Sequence, residues 1–160
     1  MFEAPLFWKK KSIISFILLP FSFFYYLGYQ IYRLSKKEVE IGKPVLCVGN
    51  LVIGGAGKTP LVIKIRQLLS NDFSKIFVLT RGYLGKNKGP LIVKKTMHFK
   101  DVGDESLIHA DFGSTCISKN KVEGAKLCRK NGADLIILDD GLQSINVKKK
   151  ISLLVIDSFY

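Results

Sequence analysis

The stretch Gly49-Asn50-Leu51-Val52-Ile53-Gly54-Gly55-Ala56-Gly57-Lys58-Thr59 decides how this chain is read. It follows an apolar run from Pro44 to Val48 and leads into residues at helical spacing. A glycine-rich turn closing on Gly-Lys-Thr is built to cradle nucleotide phosphates. Backbone N–H groups converge on phosphate oxygens, the lysine reaches the terminal phosphates, and the threonine hydroxyl binds Mg²⁺. The usual pattern has a glycine five residues before Gly57, where this chain has Val52; Gly54-Gly55 supplies the flexibility instead. A glycine-rich turn that binds nothing is the competing reading. The order strand, loop, helix favours the phosphate, because the helix N-terminus is then aimed at the anion.

The helix that follows starts well. Pro60 falls in its first turn, where a missing N–H costs little. Leu61, Val62, Ile65, Leu68 and Leu69 then form one apolar stripe.

Working outward, Val45–Val52 reads as the first strand and Lys75–Thr80 as a second, buried one. Leu91–Lys94 and Ser114–Ser118 read as short strands, with a helix over Asp104–Ala110 between them. Lys121–Asn131 reads as a helix that Gly132 stops. Ala133–Leu138 and Ile151–Ile156 are unbroken apolar runs of strand type. Helices alternating with continuously apolar strands predict an α/β fold of the P-loop NTPase kind, a mostly parallel sheet with helices on both faces.

A chain of 160 residues with 48% hydrophobic content can build one such core and is not disordered. It holds 25 Lys and Arg against 13 Asp and Glu, a formal charge of +12. That excess suits phosphate groups or acidic lipids, although solvated surface lysines explain part of it. A nucleic-acid module is disfavoured, since no recognition motif accompanies the charge. Cys47, Cys116 and Cys128 have no metal-type spacing, and their odd number argues against a disulfide framework. Cys47 reads as a small buried hydrophobe. His98 and His109 are isolated, and read as surface or packing residues.

From Ser12 to Leu34 no charge lies between Lys11 and Arg33, and aromatic residues are dense. About 20 apolar residues span a bilayer. Lysines on both sides, with Trp8 and the tyrosines, suit an anionic interface. A cleaved signal peptide would need a small-residue cleavage site, and none is evident. Membrane association is therefore expected over a soluble core helix. Spanning and lying in the interface both remain open, since Pro20, Gly28 and Gln30 interrupt the run. The expected organisation is a membrane-associated segment with a basic linker over 1–43 and a kinase core over 44–160.

Acidic residues at the carboxyl ends of parallel strands face the ligand crevice. Asp139 and Asp140 directly follow one such strand, where an aspartate can hold Mg²⁺ opposite Thr59. A plain Asp-Gly turn with Gly141 is the lesser, competing reading. Asp104 and Glu105 form a second acidic pair, which also fits a simple helix start. Arg81 follows the second strand, where it either meets a phosphate or remains a surface charge.

Together, the hydrophobic N-terminus and the runs VGNLVIGGAGKTP, TRGY, VGDE and DDGLQ, in that order, resemble the tetraacyldisaccharide 4′-kinase family. The resemblance covers essentially the whole chain. It implies a P-loop kinase at the cytoplasmic face of the bacterial inner membrane. Such an enzyme moves the ATP γ-phosphate to the 4′-hydroxyl of an anionic glycolipid, a tetraacylated glucosamine disaccharide 1-phosphate. By the resemblance, Val52, Ile53, Gly54, Gly55, Ala56, Gly57, Lys58 and Thr59 hold the ATP phosphates, and Thr59 and Asp139 ligate Mg²⁺. Asp104 is the base at the acceptor hydroxyl. Asp139, Asp140 and Gln143 match the metal and substrate motif, with Arg81 and Glu105 beside the substrate. The chain departs from the family at Leu142 and Ser144, where the family has Phe and His, at Ser106 for Pro, and at Thr80 for Ser. Family members continue beyond the point matching Tyr160, so the resemblance implies an N-terminal portion of a kinase. A membrane-tethered nucleotide switch or ATPase, and a remnant that binds nucleotide without catalysis, are the alternatives.

Overall fold

The structure, a computed structural model, describes residues 13–34, 37–50 and 57–156. The loop residues Val52, Ile53, Gly54, Gly55 and Ala56 lie outside the described residues. The chain divides into two compact units, Met1–Lys37 and Glu38–Tyr160.

The first unit contains one helix, α1 (Ile13–Leu34), of 22 residues with Pro20 inside it. Phe16, Ile17, Phe21, Phe23, Phe24, Tyr25 and Tyr26 are all exposed. Consecutive exposed apolar positions put apolar side chains on every face of a helix, not on a stripe. Polar groups are partly satisfied within the helix: Gln30 Nε2 donates to the Tyr26 hydroxyl at 2.7 Å. Among the described residues no helix is long and apolar enough to cross a membrane. The expectation of an apolar membrane helix is corrected to that extent. The segment is helical, but tyrosines, Gln30 and Pro20 dilute its apolar run.

The second unit is a six-stranded sheet, β1 (Val45–Asn50), β2 (Ile76–Thr80), β3 (Leu91–Val93), β4 (Thr115–Ile117), β5 (Leu135–Asp139) and β6 (Ile151–Val155), ordered β3-β4-β2-β5-β1-β6. All neighbours are parallel except β3 and β4. The helices are α2 (Lys58–Leu68), extended by a 3₁₀ turn over Leu69–Asn71, then α3 (Phe99–Val102), α4 (Asp104–Phe112) and α5 (Lys121–Lys130). The short helix α3 was not foreseen from the sequence. His98 starts it by accepting the Lys100 N–H on its ring.

Successive strand residues point to opposite faces, and the core divides accordingly. Val45, Cys47, Phe77, Leu79, Ile136 and Leu138 pack with Val122, Ala125 and Cys128 of α5. Leu46, Val48, Ile76, Val78, Leu135 and Ile137 pack with Val62 of α2, and Leu61, Ile65 and Leu69 join them. Leu68, at the margin of the expected stripe, is exposed. All three cysteines are buried free thiols.

Two further points differ from the sequence reading. Val39 already bridges Val147, donating its N–H to the Asn146 carbonyl at 2.8 Å, and Ile41 is buried, so part of the expected linker is built into the sheet unit. Along β6, Ile151, Leu153 and Leu154 are exposed although the run is apolar. The strand is the sheet's edge, paired on one side only, with β1.

Candidate functional site

Parallel strands bring their carboxyl ends to one edge of the sheet, and adjacency decides what meets there. β5 lies directly beside β1, with Val48 level with Asp139. The last residue of β5 therefore sits next to the strand that feeds the glycine-rich loop.

The loop returns at Gly57, the N-cap of α2, whose φ of 71° lies in the left-handed region that glycine adopts without strain. Lys58 and Thr59 open α2, where unpaired N–H groups favour an anion. Lys58 Nζ donates to Asn50 Oδ1 at 2.8 Å and lies 3.2 Å from Asp140 Oδ1. The half-buried ammonium is thus stretched between the end of β1 and the turn after β5. Asp140 itself takes a left-handed φ of 56° and is exposed. The turn therefore aims the two neighbouring aspartates differently. Asp139 is fully buried and Asp140 faces solvent.

Thr59 Oγ1 donates to Glu105 Oε1 at 2.9 Å. Glu105 and His109 are four residues apart on α4 and so share one face. Their side chains gather with Asp139 so that one ligand atom from each lies within 4.8 Å of the others. His109 Nε2 is 2.7 Å from Asp139 Oδ2, and both side chains are buried. Asp139 Oδ1 and His109 Nδ1 are buried with no hydrogen-bond partner among the described residues. Burial, and then the nearby Asp139 charge, push the Glu105 carboxyl up, while the Thr59 hydrogen bond opposes the rise.

A buried carboxylate with one unpartnered oxygen, clustered with a second carboxylate that accepts from a hydroxyl, offers hard oxygen donors. Thr59, Glu105 and Asp139 fit Mg²⁺ on that ground. Thr59 and Asp139 were foreseen as ligands. Glu105 was expected beside the substrate, and the fold also sets it against Thr59.

Asp104 is exposed at the first position of α4, where its Oδ1 accepts the Glu105 N–H at 2.9 Å. It therefore starts the helix and keeps a solvent-facing carboxylate next to the metal-type cluster. Gly103 forces that placement: its φ is 84°, and a Cβ there would meet the backbone oxygen of Tyr83. Arg81 and Gln143 are exposed beyond β2 and β5, outside the carboxylate cluster.

Three residues escaped the sequence reading. His109 is a packing residue in burial but faces Asp139. Lys121 looked like one of many surface lysines, yet it is buried and donates to the Leu79 carbonyl at 3.3 Å. Its ammonium is lowered to about 8, mainly by burial, against the attraction of Asp139 and Asp140. Arg66 is buried and donates to the carbonyls of His109 at 3.2 Å, Ile76 at 2.7 Å and Ser114 at 2.6 Å. Burial lowers it to about 10. The spacing of Glu105 and His109 is the one local signal that pointed to a shared face.

Comparison with known proteins identifies the family and the fold. The family model described as LpxK, tetraacyldisaccharide-1-P 4′-kinase, matches residues 14–159. The tetraacyldisaccharide 4′-kinase of Rhodopseudomonas palustris (strain BisB5) is 42% identical over 158 residues, 98% of this chain and 46% of that protein. The tetraacyldisaccharide 4′-kinase of Paramagnetospirillum magneticum is 40% identical over 161 residues, covering 99% of this chain and 49% of that protein. A crystal structure of the "apo" form of LpxK from Aquifex aeolicus in complex with ATP superposes with a TM-score of 0.74 at 30% identity. It covers 89% of this chain and 49% of that one. The chain spans about half the length of the curated relatives it matches.

Proposed function

We propose, because this chain belongs to the tetraacyldisaccharide-1-P 4′-kinase family, that it binds ATP and Mg²⁺ and serves transfer of the γ-phosphate to the 4′-hydroxyl of a tetraacylated glucosamine disaccharide 1-phosphate. The observation that carries this reading is the convergence of Lys58, Thr59, Glu105 and Asp139 at the carboxyl ends of β1 and β5, with Asp104 facing solvent beside them.

Each residue has a task in such a transfer. Lys58 releases Asp140 and takes the terminal phosphates as a point charge. The N-terminus of α2 adds backbone donors. Val52–Ala56 would wrap the phosphates. Thr59, Glu105 and Asp139 would hold Mg²⁺, which when bound neutralises the charge developing on the transferred group. Asp104 takes the proton of the acceptor hydroxyl as its oxygen bonds phosphorus and the bond to the ADP oxygen breaks. Positioning and electrostatics supply most of the acceleration in this chemistry. Arg81 and Gln143 lie at the surface where an anionic sugar would approach.

The acceptor's acyl chains stay in a bilayer, so we place the protein at the cytoplasmic face of the bacterial inner membrane. The apolar, aromatic surface of α1 supports an interfacial seat. Basic residues favour an anionic lipid surface.

The test is direct. The full chain is incubated with γ-labelled ATP, Mg²⁺ and tetraacyldisaccharide 1-phosphate, and label is sought in the lipid. Label that appears with the wild type and vanishes in Lys58→Ala supports the kinase. ATP binding without transfer would reduce the chain to a nucleotide-binding unit. ATP hydrolysis indifferent to the lipid would favour a tethered ATPase.

A further inference from the structure

The side chain of His109 is fully buried, and its only partner among the described residues is Asp139, at 2.7 Å from Nε2 to Oδ2. An ionised carboxylate only accepts, so the proton between them sits on Nε2. That leaves Nδ1 without a partner, and the cheaper way to leave it so is as a bare lone pair. It also divides the work of the aspartate. Oδ2 is committed to His109, while Oδ1 is buried and uncommitted, and the carboxylate as a whole sits in the cluster with Glu105, whose own Oε1 accepts from Thr59. The histidine is itself anchored, since Arg66 Nη1 donates to its backbone carbonyl at 3.2 Å. Arg66 lies on α2, seven residues after Thr59, so one helix carries the hydroxyl and fixes the histidine's backbone.

We propose that His109 is a positioning residue for the cation site: its Nε2–H pins one oxygen of Asp139 so that the other is presented to a divalent cation. The proposal rests on the reading of Asp139 as a ligand. Partners of this kind, one shell out from the metal, orient the ligand and typically govern about 10–100-fold in metal affinity.

Mn²⁺ is the probe, because its spin signal reports binding without turnover. His109→Gln and His109→Asn carry the same amide, but only the longer side chain reaches Oδ2. Mn²⁺ affinity is expected to fall about 10–100-fold in His109→Asn and to stay within a few-fold of wild type in His109→Gln. Thermal melting of each variant is recorded alongside. Equal affinities in the two variants overturn the proposal, whether both match wild type or both fall. Pulsed EPR of Mn²⁺ on the wild-type chain needs no substitution. Absence of directly bonded ¹⁴N coupling is expected, and a strong coupling would make His109 a ligand and overturn the positioning role. Asp139→Asn separates the two layers. If it leaves Mn²⁺ binding intact, the ligand reading fails. If it abolishes binding while His109→Asn does not, only the positioning role fails.

Discussion

Thr59 Oγ1 donates to Glu105 Oε1 at 2.9 Å, although 46 positions of sequence separate the two residues. The contact ties the first turn of α2 to the first turn of α4. It also leaves Glu105 half-buried near Asp139, with its carboxyl pushed up by burial first and by that neighbour second. A cation would relieve both burdens. Glu105→Gln keeps the shape and removes the charge. It should weaken Mn²⁺ binding on the order of tenfold or more while leaving the metal-free melting temperature unchanged or raised. Titration by EPR and a melting curve check the two halves. A fall in both would mean that Glu105 serves packing.

Lys58 is held between Asn50 and Asp140. Lys58→Ala should lower ATP affinity by about 1.5–3 kcal/mol, the range for hydrogen bonds to charged groups. Asp140→Asn should not lower ATP affinity measured without metal, because it removes an anion that competes for the same ammonium. Calorimetric titration of both variants distinguishes the directions.

Lys121 carries a pH signature. Burial lowers its ammonium from 10.5 to about 8. The unfolded chain then binds more protons than the folded one between those values, so the lysine's contribution to stability rises with pH across that window. Lys121→Met removes the titration. The stability difference, variant minus wild type, should fall as pH rises from 8 toward 10.5. Urea midpoints at several pH values check this, and a constant difference would contradict a buried ammonium.

Gly103 turns the chain into Asp104 with a φ of 84° and no room for a side chain beside Tyr83. Gly103→Ala should cost about 1–3 kcal/mol, a fall of several degrees in Tm. It should also impair transfer beyond that loss by moving Asp104. Melting temperature and lipid phosphorylation, measured together, separate the two effects.

The exposed aromatic residues of α1 predict vesicle binding. The doubly substituted chain Phe23→Asp, Tyr26→Asp should lose sedimentation with vesicles containing phosphatidylglycerol, while its sheet unit keeps its melting temperature. Retained sedimentation would shift the membrane contact to the basic residues elsewhere in the chain.

The sequence by itself determined the sheet unit's elements, because their signals are local. The apolar runs at Val45–Val48, Ile76–Leu79 and Leu135–Leu138 became buried strands, and Gly57-Lys58-Thr59 opened a helix. Asp139 and Asp140 were legible as a strand-end pair for the same reason. Only the tertiary structure decided which residues meet. The placement of β5 beside β1 brings Asp139 level with the phosphate-loop strand. The packing of α4 delivers Glu105 and His109 to it from 30 or more positions away. A buried Lys121, a buried Arg66 and an exposed β6 were likewise invisible beforehand. Burial is set by what covers a residue, and hydropathy along the chain carries no record of which neighbour that is.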